Sequence, residues 1–146
     1  MHFDRLGMVA LLLLGVVSVA SADVATRVIH FTHGDVVIEG VIAWDDAVRA
    51  RRPGVVIIHG GWGYSDNVRA QAERLAEAGY VGYAVDMYGM GPVDTHLEDD
   101  RGARKLLNQN PVLRAMRFSL AVERLKQDPH VDPEKISAVG YCWGGE

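Results

Sequence analysis

The sequence predicts an α/β fold with a doubly wound, mostly parallel sheet. Two short runs, Gly54–Ile58 and Val81–Val85, are continuously apolar, which is typical of strands buried on both faces of a sheet. A segment with helical periodicity separates these runs, and more helical sequence precedes a third strand predicted over Lys135–Val139. Because strands that alternate with helices usually pair in parallel, we expect helices on both faces of the sheet.

A β-hairpin is predicted before the first buried strand. The β-rich runs Arg27–Thr32 and Val36–Trp44 flank the segment His33–Asp35, in which Gly34 can adopt the positive φ of a tight turn. The charged segment Asp45–Pro53 then predicts a solvated loop. We therefore expect the hairpin to form an antiparallel edge of the sheet.

Three helices are predicted from apolar periodicity and terminal residues. Ser65 can cap a first helix, which ends at Gly79. Two more are expected over residues 98–107 and 111–126, the second with a proline in its first turn. A loop rich in glycine and proline, residues 89–97, connects these helices to the preceding strand.

The composition is that of an ordinary globular domain. The chain has 146 residues, of which 49% are hydrophobic and 23% charged, so it forms one domain or part of one. Its net charge of −4 provides no basic stripe for nucleic acid or an anionic membrane, so a small-molecule partner is expected. No metal or cofactor is predicted, and nothing in the sequence indicates an oligomeric state.

The N-terminal segment, residues 1–22, resembles a secretory signal peptide. Arg5 precedes an apolar run over Met8–Ala20, and Ala20–Ala22 provides the small residues of a cleavage site. The alternative is an uncleaved anchor, but the run is shorter than the roughly 18 apolar residues that span a bilayer. We expect a periplasmic or extracellular protein that starts at Asp23 and does not bind a membrane after cleavage.

Cys142 is the only cysteine in the sequence. In an exported protein it has no partner within the chain, so it is either a buried apolar residue or a reactive thiol. It lies in the pattern Gly140-x-Cys142-x-Gly144, the spacing of a nucleophile elbow. A sharp strand-to-helix turn crowds the positions two before and two after its tip, and the following helix dipole favours a thiolate.

The loop after the first buried strand is predicted to face this thiol. In an elbow enzyme, backbone N–H groups hold the oxyanion that forms at the attacked carbonyl, and Trp143 and Gly61 are the predicted donors. Ligands of such sheets bind beyond the carboxyl ends of the strands. The predicted pocket residues at these ends are His59, Gly60, Trp62 and Tyr88. For His59 and Trp62, packing beneath the loop is the alternative role.

The segments that carry these motifs resemble the dienelactone hydrolase family, α/β-hydrolases with a cysteine nucleophile. The similar segments are Pro53–His59, Trp62–Gly63, Leu75–Tyr80, Ala84–Gly89 and Asp132–Gly145. The resemblance implies that Cys142 attacks a lactone or ester carbonyl, that Gly61 and Trp143 hold the oxyanion, and that water resolves the thioester.

Two positions depart from the family pattern. Family members carry a glutamate that contacts the resting cysteine, where this chain has Gly60. Members that hydrolyse dienelactone also use an arginine shortly after an Asp-x-Tyr sequence. In this chain that sequence is Asp86–Tyr88, and Gly89 and Met90 follow it. How Cys142 is activated is therefore open, and a neutral ester or lactone fits as well as a carboxylate-bearing dienelactone.

The catalytic acid and base expected of this fold follow the nucleophile in the chain. The six histidines are residues 2, 30, 33, 59, 96 and 130. All precede Cys142, and His59 is the alternative base. We therefore expect residues 23–146 to be the N-terminal part of a hydrolase domain, truncated at its C-terminus, with one side of the sheet uncovered.

Three functions remain open from the sequence. The first is hydrolysis of an ester or lactone through Cys142. The second is a non-catalytic binding domain or inactive fragment of the same fold, since the glutamate is replaced by Gly60. The third is redox sensing by a free thiol, for which a resolving cysteine is missing.

Overall fold

A computed structural model describes residues 22–89 and 97–146. All but the last residue of the predicted signal peptide lies outside this part, as do residues 90–96 of the predicted loop. The elements in chain order are β1 (Val24–His33), β2 (Val36–Asp45), β3 (Arg52–Ile58), α1 (Asp66–Glu77), β4 (Val81–Val85), α2 (Leu97–Gln109), α3 (Pro111–Lys126), β5 (Val131–Gly140) and a 3₁₀ turn (Cys142–Gly145).

The described strands form one mixed sheet in the order β1-β2-β4-β3-β5. Strand β3 pairs in parallel with β4 and β5. The hairpin β1–β2 adds an antiparallel edge, because β2 runs antiparallel to both β1 and β4. Gly34 provides the hairpin turn with φ of +61°. The predicted α/β fold with an N-terminal hairpin is confirmed.

Helices pack on both faces of the sheet. Val56 and Ile58 of β3 belong to the apolar cluster on one face, which includes buried residues of α2 and α3. Ile57, between them in the strand, belongs to the cluster that α1 covers on the opposite face. Alternate side chains of a strand point to opposite faces, so β3 is buried on both, as its unbroken apolar sequence predicts.

Helix α1 lies very close to the sheet. A Cβ atom on Gly82 of β4 would lie only 2.6 Å from the Cα atom of Ala72 in α1, so only glycine allows this approach. Gly79 ends the helix with φ of +90° and donates its N–H to the Ala76 carbonyl at 3.0 Å. Ser65 occupies the predicted N-cap position but makes no side-chain capping hydrogen bond.

Helices α2 and α3 cover the other face. Leu107, Ala121 and Leu125 are completely buried there. Pro111 is in the first turn of α3, as predicted, where its missing N–H removes no helical hydrogen bond. Within residues 22–89 and 97–146, no helix is long and apolar enough to cross a membrane.

Strand β5 begins four residues before the predicted start, Lys135. The register explains the difference, because Pro53 lies opposite Asp132 while the next residue of β3 lies opposite Ile136. The intervening residues form an irregularity that includes Pro133. Proline donates no ladder hydrogen bond and is tolerated at such an irregularity on an edge strand, so the strand continues through it.

Leu125→Ala is expected to destabilise the fold by about 2–5 kcal/mol, because it removes a buried leucine side chain from between α3 and the sheet. A Cβ on Gly54 of β3 would lie 2.9 Å from the Leu125 Cδ2 atom, which shows how closely the helix packs there. Urea unfolding measures the effect. Met116→Ala is the control on the same helix, because Met116 is 49% exposed. Equal losses in the two variants would contradict the packing described for α3.

Candidate active site

Cys142 sits at the tip of a strained turn at the end of β5. Its φ is +53°, a left-handed conformation that no other non-glycine residue adopts in the described part of the chain. Its side chain is exposed. Backbone strain at an exposed residue between a strand and a helical turn is the geometry that presents a nucleophile. Where a helix was expected after the elbow, the described residues form only the 3₁₀ turn.

The two glycines of the elbow are required by close backbone contacts. A Cβ on Gly140 would overlap the carbonyl of Gly144. A Cβ on Gly144 would lie 2.6 Å from the His59 carbonyl oxygen and 2.8 Å from Cγ2 of Ile58. The turn therefore folds back on itself and lies directly against the end of β3, as the glycine spacing predicts.

The glycine loop after β3 lies beside the thiol. A Cβ on Gly60 would be 3.9 Å from the Cβ of Cys142. The loop turns through a hydrogen bond of 3.1 Å from the Gly63 N–H to the Gly60 carbonyl, with Gly63 at φ of +88°. The position at which the family resemblance leads one to expect a glutamate thus lies next to Cys142, and here it is a glycine without a side chain.

The His59 side chain is fully buried and braces this loop. Its Nε2 accepts the Met87 N–H at 3.1 Å, so its Nδ1 is the protonated nitrogen that donates to the Gly60 carbonyl at 2.8 Å. The ring also contacts Tyr88 edge-on and stacks on Trp143. Because both nitrogens have these partners, His59 supports the loop and is not placed as a base for Cys142.

Trp62 and Tyr88 differ in exposure. Trp62 is 78% exposed, so it does not pack beneath the loop and is available to contact a ligand. Tyr88 is buried, and its hydroxyl donates to the Gly61 carbonyl at 3.3 Å. Tyr88 therefore holds the glycine loop after β3 in place at Gly61.

Arg117 of α3 anchors the segment after β4. Its Nη1 donates to the carbonyls of Met87 and Tyr88 at 2.7 and 3.0 Å. Burial lowers the pKa of Arg117, and the nearby Asp86 carboxylate opposes that effect. Asp86 also accepts the Tyr88 N–H at 2.9 Å. The sequence analysis did not predict a role for this arginine. A single cation on the apolar face of a helix does indicate a buried polar contact.

Trp143 connects the elbow to α2 and α3. Its ring is buried, and its Nε1–H donates to Asn108 Oδ1 at 2.6 Å. The guanidinium of Arg114 lies 5.7 Å from the ring centroid. These contacts hold in place Trp143, whose backbone N–H is one of the two predicted oxyanion donors.

Arg104 of α2 reaches the glycine loop after β3. A Cβ on Gly61 would lie 2.7 Å from its Nη1 atom. The sequence prediction did not include this residue, because the angle at which α2 packs decides which helical face meets the loop, and the sequence of the helix does not determine that angle.

A cavity of about 430 Å³ lies on the helix side of the elbow. Its walls come from α3, β5 and the turn, including Phe118, Val139 and Trp143. Cys142 and the predicted pocket residues are not among its lining residues, whereas Gly140, Trp143 and Gly144 of the elbow are. Among the described residues, no group of three His, Cys, Asp or Glu side chains could hold a metal ion.

Comparison with known proteins gives consistent results. The model of the dienelactone hydrolase family matches residues 38–146. The protein usf of Aquifex pyrophilus is 30% identical over 127 residues, which are 82% of this chain and 52% of that protein. A protein of Synechocystis sp. that carries the name carboxymethylenebutenolidase is 25% identical, over 86% of this chain and 52% of its own length.

Solved structures show the same similarity. The protein m3DLH superposes with a TM-score of 0.77 at 30% identity, over 84% of this chain and 51% of its own. A dienelactone hydrolase-like promiscuous phosphotriesterase from metagenomic libraries gives a TM-score of 0.75 at 29% identity, with the same coverage of 84% and 51%. The chain spans about half the length of the curated relatives it matches. Because the family model matches this chain from β2 to Glu146, the chain belongs to the dienelactone hydrolase family.

Proposed function

We propose that this chain carries the nucleophile and the oxyanion hole of a hydrolase that cleaves a small-molecule ester or lactone. The observation that supports the proposal most strongly is the exposed Cys142 with φ of +53°, beside the Gly60–Gly61 loop. Family membership supports a hydrolase of this kind. Because the elbow is tightly packed, the strained cysteine has a fixed position relative to that loop.

The reaction starts when the Cys142 thiolate attacks the carbonyl carbon. The S–C bond forms, and the carbonyl electron pair moves to the oxygen, which accepts hydrogen bonds from the N–H groups of Gly61 and Trp143. Collapse of this intermediate re-forms the carbonyl and breaks the C–O bond, and the leaving alkoxide takes a proton. Water then attacks the thioester, releasing the carboxylic acid and regenerating the thiol.

The protein's own residues prepare this step by holding the loop and the elbow rigidly. His59 fixes Gly60, and Tyr88 fixes Gly61. Arg117 fixes the segment that carries Tyr88. Donors that are already oriented before the reaction need no reorganisation when the oxyanion forms, and this is the main source of oxyanion-hole catalysis.

Trapping the thioester tests the proposal. The longest gene product that contains this chain is incubated with 4-nitrophenyl acetate, quenched in acid and analysed by intact mass and peptide mapping. We expect one acetyl group, located on Cys142. Acid stops the enzyme before water cleaves the thioester, and thioesters themselves are stable in acid. A sample blocked with iodoacetamide beforehand is the control and should remain unacetylated.

A non-catalytic binding domain is the alternative, favoured by Gly60, which leaves no carboxylate beside the thiol. It predicts neither acetylation nor nitrophenol release above the blocked control. Nitrophenol release that persists after Cys142 is blocked would instead overturn the cysteine mechanism.

A further inference from the structure

Strand β1 is an edge of the sheet that lacks the usual protection. Among the described strands it pairs only with β2, and that pairing is regular over all ten residues, Val24–His33, without a bulge. Natural edge strands usually contain proline, lysine or a bulge, because their free N–H and C=O groups can pair with another chain. β1 contains neither proline nor lysine. Its outer edge is therefore suited to pairing with another strand.

The pairing with β2 decides which residues of β1 direct their main-chain groups outward. The two-residue turn Gly34–Asp35 makes His33 and Val36 a hydrogen-bonded pair, and such pairs alternate along an antiparallel ladder. The Asp46 N–H donates to the Asp23 carbonyl at 2.7 Å, which agrees with this alternation. The residues that direct N–H and C=O away from β2 are therefore Val24, Thr26, Val28, His30 and Thr32.

The charges along β1 do not oppose an identical strand at this edge. The strand contains no Asp, Glu or Lys, and the guanidinium of Arg27 is paired with the buried Asp128 carboxylate at 2.6 Å. Val28, in the middle of the strand, is 50% exposed. A contact between two β1 strands would therefore cover an exposed apolar side chain without bringing unpaired like charges together.

We propose that two copies of this protein associate through β1, as an antiparallel pair about a two-fold axis between their Val28 residues. In this register every outward-directed residue of β1 has a partner: Val24 lies opposite the partner's Thr32, Thr26 opposite the partner's His30, and Val28 opposite the partner's Val28. Each such pair exchanges two main-chain hydrogen bonds. A register shifted by two residues leaves one outward-directed residue of each copy outside the paired segment.

The side chains on both faces of the sheet fit this register. On the face that α1 covers, Val41 of β2 lies opposite Val28, so the dimer would have a row of four valines across its axis. On the face that α3 covers, Phe31 would lie opposite the partner's Ala25. Cross-strand pairs of apolar side chains stabilise a sheet in addition to its main-chain bonds. The dimer does not depend on the proposed function, because it concerns only this sheet edge.

Sedimentation equilibrium of the longest gene product that contains this chain tests the inference. We expect a reversible monomer–dimer equilibrium. Val28→Lys should raise its dissociation constant about tenfold or more, because two like charges would lie opposite each other at the axis. Val37→Lys is the matched control, because Val37 is 52% exposed on the same face of the sheet but lies on β2. A monomer at all concentrations, or a dimer that both variants affect equally, would overturn the inference.

A second pair of variants tests the main-chain bonds. Thr26→Pro removes an outward-directed N–H and leaves the bonds to β2 in place, since proline is tolerated on an edge strand. It should weaken the dimer by a factor similar to that of Val28→Lys, whereas Thr26→Ala, which keeps the N–H, should not. A dimer of unchanged affinity in Thr26→Pro would mean that the copies associate through another surface. Thermal unfolding of each variant confirms that it is folded.

Hydrogen exchange identifies what covers the edge. The Thr26 N–H should exchange slowly in the dimer and rapidly in Val28→Lys at concentrations where that variant is monomeric. Slow exchange at Thr26 that persists in the monomer would overturn the inference, because another segment of the same chain would then occupy the edge of β1.

Discussion

Cys142→Ala is expected to reduce kcat/KM for ester hydrolysis about 10³-fold or more. Without the sulfur no thioester can form, and the proposed oxyanion donors can assist only the direct attack of water. Initial rates with 4-nitrophenyl acetate, measured on the longest gene product that contains the chain, give the value. Stability should change little, because Cys142 is exposed and alanine meets the same left-handed backbone cost as cysteine.

Cys142→Ser is the more demanding control for this prediction. It keeps a nucleophilic atom at the same strained position, but a hydroxyl needs a base to remove its proton, whereas a thiol ionises readily near neutral pH. A loss in the serine variant almost as large as in the alanine variant would show that the site depends on a thiolate. Retention of more than a tenth of the activity by Cys142→Ala would contradict the assignment of the nucleophile.

Sequence patterns predicted the features of the fold that depend on local residue types. The unbroken apolar runs of β3 and β4 predicted strands covered on both faces, and the packing of α1 and α3 confirms it. The spacing Gly140-x-Cys142-x-Gly144 predicted a sharp turn, because each glycine occupies a position where a side chain meets backbone. Such patterns report steric requirements within a few residues of the chain.

Contacts between distant segments could not be predicted in the same way. Arg104 meets Gly61 and Asn108 meets Trp143 because of the angle at which α2 packs on the elbow. That angle depends on the whole core and not on the sequence of the helix. In the sequence, Arg117 only interrupts the apolar face of α3. Its role is clear once the structure shows that it binds the Met87 carbonyl. The bulge in β5 is another example, because its register is decided by pairing with β3.

The second large effect is expected for Gly140→Ala, which should destabilise the protein by about 3 kcal/mol or more. The new methyl group would overlap the Gly144 carbonyl, and both partners are backbone, so neither can move aside by changing a rotamer. Relief would require the elbow to open, which would also separate the turn from the end of β3. Urea unfolding and the rate of Cys142 alkylation measure these two consequences.

Gly60→Ala is the matched control, because it adds the same methyl group to a glycine of the same site. Its Cβ would lie 3.4 Å from the Tyr141 carbonyl oxygen and 3.9 Å from the Cys142 Cβ, which are tolerable contacts, so a change within about 1 kcal/mol is expected. If Gly140→Ala were as mild as Gly60→Ala, the elbow would not be the tightly closed turn described above. If Gly60→Ala were as severe as Gly140→Ala, the open space beside the thiol would be absent. In the proposed mechanism the substrate carbonyl enters there to reach both Cys142 and the Gly61 N–H, so the pair of variants tests the geometry on which that mechanism depends.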